Sequence, residues 1–125
     1  VLQEKYSDAA IAISEVIDSP EVPAGSAELA LLRADNAHCL ARLQQFSLAT
    51  SEADRANSIP SAGFDADDRA VIFGALSDYC VAAGNSAQAA DFRRHQQAAL
   101  DEHQKTIQEL IKLLEPYSAG PGKPT

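Results

Sequence analysis

The chain has no tryptophan, no methionine and only two cysteines among its 125 residues. Cys39 and Cys80 show no CxxC spacing and no dense cysteine framework surrounds them, which argues against a disulfide scaffold or a cysteine zinc site. Each lies inside an apolar helical pattern. Both are therefore predicted to be buried thiols in a reducing compartment, and we expect a cytoplasmic protein.

Long apolar runs and an excess of basic residues are missing as well. No segment approaches the roughly 20 apolar residues that a membrane span requires, and no basic segment precedes an apolar one as in a signal peptide. Ten basic residues face eighteen acidic ones, giving a net charge of −8. This charge argues against nucleic acid or an anionic membrane as the main partner and favours a basic or amphipathic protein or peptide.

Catalytic and nucleotide-binding motifs are also absent: the chain contains no GxGxxG, GxxxxGK, HExxH, GxSxG or CxxC. His95 and His103 are eight residues apart, whereas paired histidine ligands on a helix lie four apart. We therefore predict that the protein is not an enzyme and has no cofactor and no metal. A helical metal protein using Asp91, His95 and His103 is the remote alternative.

What the sequence does contain is alanine, 24 residues of it against 15 β-branched residues, and this bias predicts an all-α protein. Glycine, proline and serine cluster at 19–25, 58–65 and 84–86, and Pro116 follows the last helical pattern. The sequence therefore predicts about five helices, at 2–18, 26–43, from 46 to the second cluster, 65–84 and 87–115. They form one domain over 1–116, followed by a flexible tail over 117–125.

The chain matches itself at a shift of forty residues. In this register Ala9, Ala49 and Ala89 align, and Tyr6 aligns with Phe46. Small residues permit two helices to cross at the near end of the usual 8–10 Å range of axis separations, as expected at Ala37, Ala49 and Ala89. The pattern predicts tandem antiparallel helix hairpins, each with its second helix packed closely on its first.

These residues resemble the tetratricopeptide repeat (TPR), a helix-turn-helix unit of about 34 residues. One repeat runs from Arg33 to Ala49 and continues to Pro60; a second runs from Ala75 to Gly84 and continues to Phe92. Gln44 stands where the family has a turn glycine. The resemblance implies a superhelix in which the first helix of the chain is the second helix of an earlier repeat. A HEAT-type array, with a period of about 40–47, is the alternative.

The resemblance also implies a function, because the first helices of successive repeats line a concave groove that receives a partner peptide or helix. The protein would be a non-catalytic interaction module, such as an adaptor, scaffold or regulatory domain. The family's clamp for C-terminal carboxylates is missing, since Ala34, Asp35, His38, Val71 and Ala75 occupy its positions. The groove residues implied by position are Leu31, Ala34, His38, Arg42, Val71, Gly74, Asp78 and Val81.

The last predicted helix is longer than a repeat requires and carries an apolar stripe beyond it. This stripe consists of Leu100, Ile107, Leu110, Ile111 and Leu114. It needs a cover, and two covers are consistent with the sequence. Either the segment bends back and caps the last hairpin, or a second copy packs on it. The second option predicts a homodimer and, as the alternative function, a dimeric structural or assembly subunit.

Overall fold

The structure, a computed structural model, describes residues 2–118 and contains five helices and no strand within that range. The helices are α1 (Leu2–Ile17), α2 (Ala27–Arg42), α3 (Phe46–Ser58), α4 (Ala66–Ala82) and α5 (Ser86–Ser118). The predicted all-α class, the five helices and the long last helix are confirmed.

α2 and α3 form one hairpin, α4 and α5 form a second, and the two hairpins pack side by side. α2 contacts α1, α3 and α4, whereas α4 contacts α2 and α5, and α3 makes only a small contact with α4. In the described part of the chain α5 packs on no helix other than α4. The first turns of α2 and α4 line one cleft, and further along Asp35 and His38 lie near Asp78. The two helices therefore run in the same direction and share one face of the molecule.

The two hairpin turns have the same hydrogen bonds, forty residues apart. Gln45 N–H donates to the Leu40 carbonyl at 2.9 Å, and Asn85 N–H donates to the Cys80 carbonyl at 2.8 Å. The residue before each, Gln44 or Gly84, donates to the carbonyl three residues earlier and has positive φ, 61° and 80° respectively. Both turns are therefore Schellman motifs, and the forty-residue period is confirmed in the backbone at these turns.

Alanine makes up most of the helix contacts. Ala37, Ala49 and Ala89, the residues expected at close crossings, are all inaccessible to solvent. The largest fully buried side chains are Leu76 and Cys80, both on α4. Cys39 is buried too, and both thiols are free. The core lies between α2, α3 and α4 and extends to the start of α5; its buried members are Ala30, Ala34, Ala37, Ala41, Ala49, Ala53, Ala56, Ile72, Ala75, Leu76, Tyr79, Cys80 and Ala89.

Polar contacts tie these small-residue interfaces together. On α3, the nearly buried Glu52 carboxylate accepts hydrogen bonds from Arg33 Nη1 at 3.1 Å and from Asn36 Nδ2 at 3.3 Å, both on α2. The hydroxyls of Thr50 and Tyr79 are hydrogen-bonded at 3.1 Å and join α3 to α4. These links fix the relative position of helices whose alanine side chains offer little interlocking shape.

The helix ends agree with the sequence at some positions and differ at others. Ser26 caps α2 at the predicted start of the second helix, since its Oγ accepts from Leu29 N–H at 3.1 Å. The cap of α5 is Asn85, whose Oδ1 accepts from Gln88 N–H at 3.1 Å, so this helix starts one residue before the predicted start at residue 87. α5 also continues through Pro116 to Ser118. Residues 117 and 118 of the predicted tail are therefore helical, and the rest of the predicted tail, 119–125, lies outside the described residues.

Candidate functional site

Most of the expected groove residues lie on the surface that α2 and α4 share. We define the α2–α4 face by Leu31, Asp35, His38 and Arg42 on α2 and by Val71 and Asp78 on α4, all at least partly accessible. Val81 is also exposed, further along α4.

Two of the expected groove residues do not reach this face. Ala34 has no accessible surface and belongs to the row of alanines that packs on α3. Gly74 faces α5, because a Cβ added to it would lie 2.5 Å from Gln96 Nε2. Neither Ala34 nor Gly74 can therefore contact a partner bound across α2 and α4, and both are removed from the expected groove.

A shallow cleft of about 270 Å³ opens on the face near the first turns of α2 and α4. Leu31 and the exposed Val71 form its apolar walls, and Ile72 lies at its base in the core. Glu28 and Asp68, both exposed, line it as well. The cleft therefore combines an apolar floor with an acidic rim.

Further along the face, charged side chains surround His38. Arg42 Nε donates to His38 Nε2 at 3.2 Å, one helical turn apart. This bond requires an imidazole that is neutral at Nε2. On its other side, the ring of His38 meets the ring of Tyr6 from α1 edge to face, with 5.7 Å between centroids. The contact places α1 at the border of the α2–α4 face.

The electrostatics of this cluster follow from partial burial. Burial raises the pKa of Asp35 above its usual 3.8, with the Asp78 carboxylate adding to the rise and His38 opposing it. Burial and the Arg42 guanidinium lower the pKa of His38 below its usual 6.5, against the opposing effect of Asp78 and Asp35. An external cation beside Asp35 would favour its charged form and offset this effect of burial.

Asp35 and Tyr6 were missed as groove residues from the sequence. Asp35 is four residues from Leu31 and three from His38, so helical spacing alone could have placed it on the face instead of Ala34. For Tyr6 no local signal exists, because its place depends on how α1 packs against α2. The contact between Tyr6 and His38 therefore could not be predicted from the sequence.

The metal alternative finds no support in the described residues. The ring of His95 packs on Phe73, with centroids 5.4 Å apart, and does not join His103 and Asp91 in a ligand group. The group of carboxylates close enough to share an ion in residues 2–118 is formed by Asp65, Asp67 and Asp68. These three are exposed at the start of α4, where negative charge complements the helix dipole.

The apolar stripe expected on the last helix is exposed to solvent on α5. Leu100, Ile107, Leu110, Ile111 and Leu114 are all exposed, as are Leu113 and Tyr117 beside them. Since α5 is one continuous helix, the expectation that the segment bends back over the last hairpin is wrong. Where α5 passes the start of α4, Ile107 and Leu110 border a cleft of about 480 Å³ that also contacts Phe64.

Comparison with known proteins adds no further assignment. No protein-family model matches the chain, and no curated protein or solved structure is significantly similar to it. Among the described helices, none combines the length and apolar character needed to cross a membrane.

Proposed function

We propose that the protein is a non-catalytic protein–protein interaction module that binds a basic amphipathic helix or peptide across the α2–α4 face. The observation that carries this proposal is the apolar cleft between Leu31 and Val71, which continues into the charged cluster around His38. Apolar pockets with a few convergent polar groups are the usual form of a recognition site.

The chemistry of the face specifies the partner. An apolar side chain fits the cleft, while lysine or arginine residues on the same ligand meet Glu28 and Asp68 at the rim and Asp35 and Asp78 further along. The net charge of −8 attracts such a ligand over longer distances and repels an acidic one. Arg42 is the single fixed cation of the face and would accept one carboxylate of a ligand of mixed charge.

A tetratricopeptide-type adaptor or regulatory domain is the architecture that we propose for this role. It is supported by the forty-residue period of the turns and by the contact between α2 and α4, the first helices of the two hairpins. A binding role without catalysis is supported by the two thiols. Burial and then the Asp35 carboxylate raise the pKa of Cys39, and burial raises the pKa of Cys80, so neither is an activated nucleophile.

Affinity capture from a native lysate tests the proposal. The intact protein is compared with a variant carrying His38→Ala, Arg42→Ala and Asp78→Ala. A matched control replaces one neutral, one basic and one acidic residue on the solvent side of α5, by Arg94→Ala, Gln97→Ala and Asp101→Ala. We expect the first variant to capture at least about tenfold less partner than the intact protein, which corresponds to about 1.4 kcal/mol of binding free energy. The control should capture as much as the intact protein. Equal capture by all three proteins would remove the α2–α4 face as the binding site.

A further inference from the structure

The face of α5 that packs on α4 continues well beyond the point where α4 begins. Arg69, in the first turn of α4, forms an ion pair with Glu102 of α5. In residues 2–118, no helix lies beside α5 beyond the cleft that Ala66 and Asp67 of α4 share with Ile107 and Leu110. Its face nevertheless keeps the same three- and four-residue spacing to its end. Along this face lie Phe92, Gln96, Ala99, His103, Ile107, Leu110, Leu114 and Tyr117.

Exposure rises along this face. Ala99, opposite α4, is 4% exposed, whereas Ile107, Leu110, Leu114 and Tyr117 are 37%, 48%, 58% and 79% exposed in that order. The side chains that pack on α4 are thus followed by large apolar ones that α4 does not cover. A helical segment of about 12 residues is marginal in water without tertiary packing. The free end of α5 therefore presents an apolar face for which residues 2–118 provide no partner helix.

We propose that this helix is the same segment of a second copy, packed antiparallel. In this arrangement Leu110 packs against Leu114 of the second copy, and Ile107 packs against Tyr117 of the second copy. Both stripes are covered by one two-fold interface, which is the commonest symmetry of soluble oligomers. We call the side chains of Ile107, Leu110, Leu114 and Tyr117 the α5 stripe; compared with the stripe expected from the sequence it adds Tyr117 and leaves out Leu100 and Ile111. It is separate from the α2–α4 face, because α5 packs on α4 alone in the described chain.

Charge favours a second copy as the occupant. Residues 105–117 contain two lysines, Lys105 and Lys112, and two glutamates, Glu109 and Glu115. The segment is therefore neutral, and the rest of the chain carries the whole net charge of −8. At helical spacing these four charges lie away from the stripe, whose flanks are Ile111 and Leu113. A strongly charged partner gains no net electrostatic attraction from this neutral segment, whereas an identical neutral and apolar segment is compatible with it.

The position of α4 decides the direction of packing. In a parallel pair, both copies would bring α4 to the same side of the joined helices, and the two acidic bodies would meet. In the antiparallel pair each body lies at an opposite end. This arrangement also brings Tyr117 of the second copy to the cleft of about 480 Å³ beside Phe64 and Ile107. The cleft has apolar walls and the carboxylates of Asp65 and Asp67, which suits a ring with a hydroxyl at its tip.

Sedimentation velocity over a wide concentration range tests the dimer. The interface involves few residues on each side compared with the usual 20–30, so we expect a reversible dimer with a micromolar dissociation constant. Leu110→Asp and Leu114→Asp should each weaken it at least about tenfold. Gln108→Asp adds the same charge away from the stripe and should leave it unchanged. Circular dichroism confirms that each variant keeps the helical body.

Two results would overturn the proposal. One is a wild-type protein that stays monomeric up to about 500 µM, well above the expected micromolar range, even where another protein is captured through the stripe. The other is a dimer that persists in both aspartate variants.

Engineered cysteines test the direction. Leu110→Cys and Leu114→Cys variants are oxidised separately and as a mixture, with Cys39 and Cys80 remaining buried. The antiparallel pair predicts little cross-linking in either variant alone and a cross-linked heterodimer, one Leu110→Cys chain joined to one Leu114→Cys chain, in the mixture. A mass tag on one variant identifies this heterodimer. Cross-linking of each variant with itself, with none between the two, would contradict the antiparallel pair.

Discussion

At the scale of single residues, Gln44 adopts a backbone conformation that suits glycine. Its φ of 61° matches that of Gly84 at the equivalent position of the second hairpin, where φ is 80°. A side chain with a Cβ is strained in this region, whereas glycine is not. The bend at Gln44 could not be inferred from its own residue type. It followed only from the forty-residue period, which aligns it with a glycine.

Replacing Gln44 by glycine should therefore stabilise the protein. We expect Gln44→Gly to raise the free energy of unfolding by about 1 kcal/mol, since the relief of strain exceeds the added freedom of the unfolded chain. The matched variant Gly84→Ala should lower it by a similar amount. Urea unfolding measures both. A loss of stability on Gln44→Gly would show that the turn does not carry strain.

His38 should make stability depend on pH. Its pKa is lowered in the folded protein by burial and by Arg42, so the folded state binds fewer protons than the unfolded state below the usual pKa of 6.5. The free energy of unfolding is then highest above pH 6.5 and falls as the pH drops toward the lowered pKa of His38. His38→Gln should flatten this part of the profile. An unchanged slope between about pH 5 and 7 in urea unfolding of the variant would contradict the assignment.

Asp35 should act with the opposite sign. Because burial raises its pKa above the usual 3.8, the folded state binds more protons above that pH, and stability decreases as the pH rises through the interval up to the raised pKa. Asp35→Asn removes this loss and should make the protein more stable at pH 7. The same change should weaken binding of a basic peptide, since it removes a carboxylate from the α2–α4 face. We expect urea unfolding to show a higher free energy of unfolding for Asp35→Asn, and fluorescence anisotropy to show weaker binding of a basic peptide.

At the scale of the helices, α2 and α3 are joined by alanine rows and by one nearly buried carboxylate. The Glu52 carboxylate accepts hydrogen bonds from the side chains of Arg33 and Asn36 on α2. Removing it leaves both donors without this acceptor. We expect Glu52→Ala to lower the free energy of unfolding by about 2 kcal/mol. The exposed Arg55, which also pairs with Glu52, is the control, and Arg55→Ala should cost less than about 0.5 kcal/mol. Equal effects of the two changes would show that burial of the pair is unimportant.

The helices themselves were largely predictable, because strong breakers separate them and alanine favours helix between the breakers. The end of α5 was not, since the helix continues through Pro116 to Ser118 although proline lacks the N–H that a helix interior uses. The surface that α2 and α4 share was predictable in part. The positions implied by the repeat resemblance include Leu31, His38 and Arg42, which lie on this surface, but also Ala34, because residues of the core row lie only one position away from the exposed row.

At the scale of the whole molecule, two surfaces lie at different places and have different chemistry. The α2–α4 face is acidic around an apolar cleft, whereas the α5 stripe is apolar and locally neutral. They should therefore act independently. The variant with His38→Ala, Arg42→Ala and Asp78→Ala should still dimerise, and Leu110→Asp should still capture the partner. Sedimentation velocity and capture applied to both variants check this, and a loss of both properties in either variant would show that the surfaces are coupled.

The central claim, that a basic amphipathic helix binds across α2 and α4, is tested most directly by nuclear magnetic resonance. The ¹⁵N-labelled Leu110→Asp protein is titrated with a peptide helix that has leucines on one side and lysines on the other, and then with its counterpart in which glutamate replaces lysine. We predict amide shifts concentrated in residues 28–42 and 68–82 with the lysine peptide and none with the glutamate peptide. Shifts confined to other helices, or the same response to both peptides, would contradict the account.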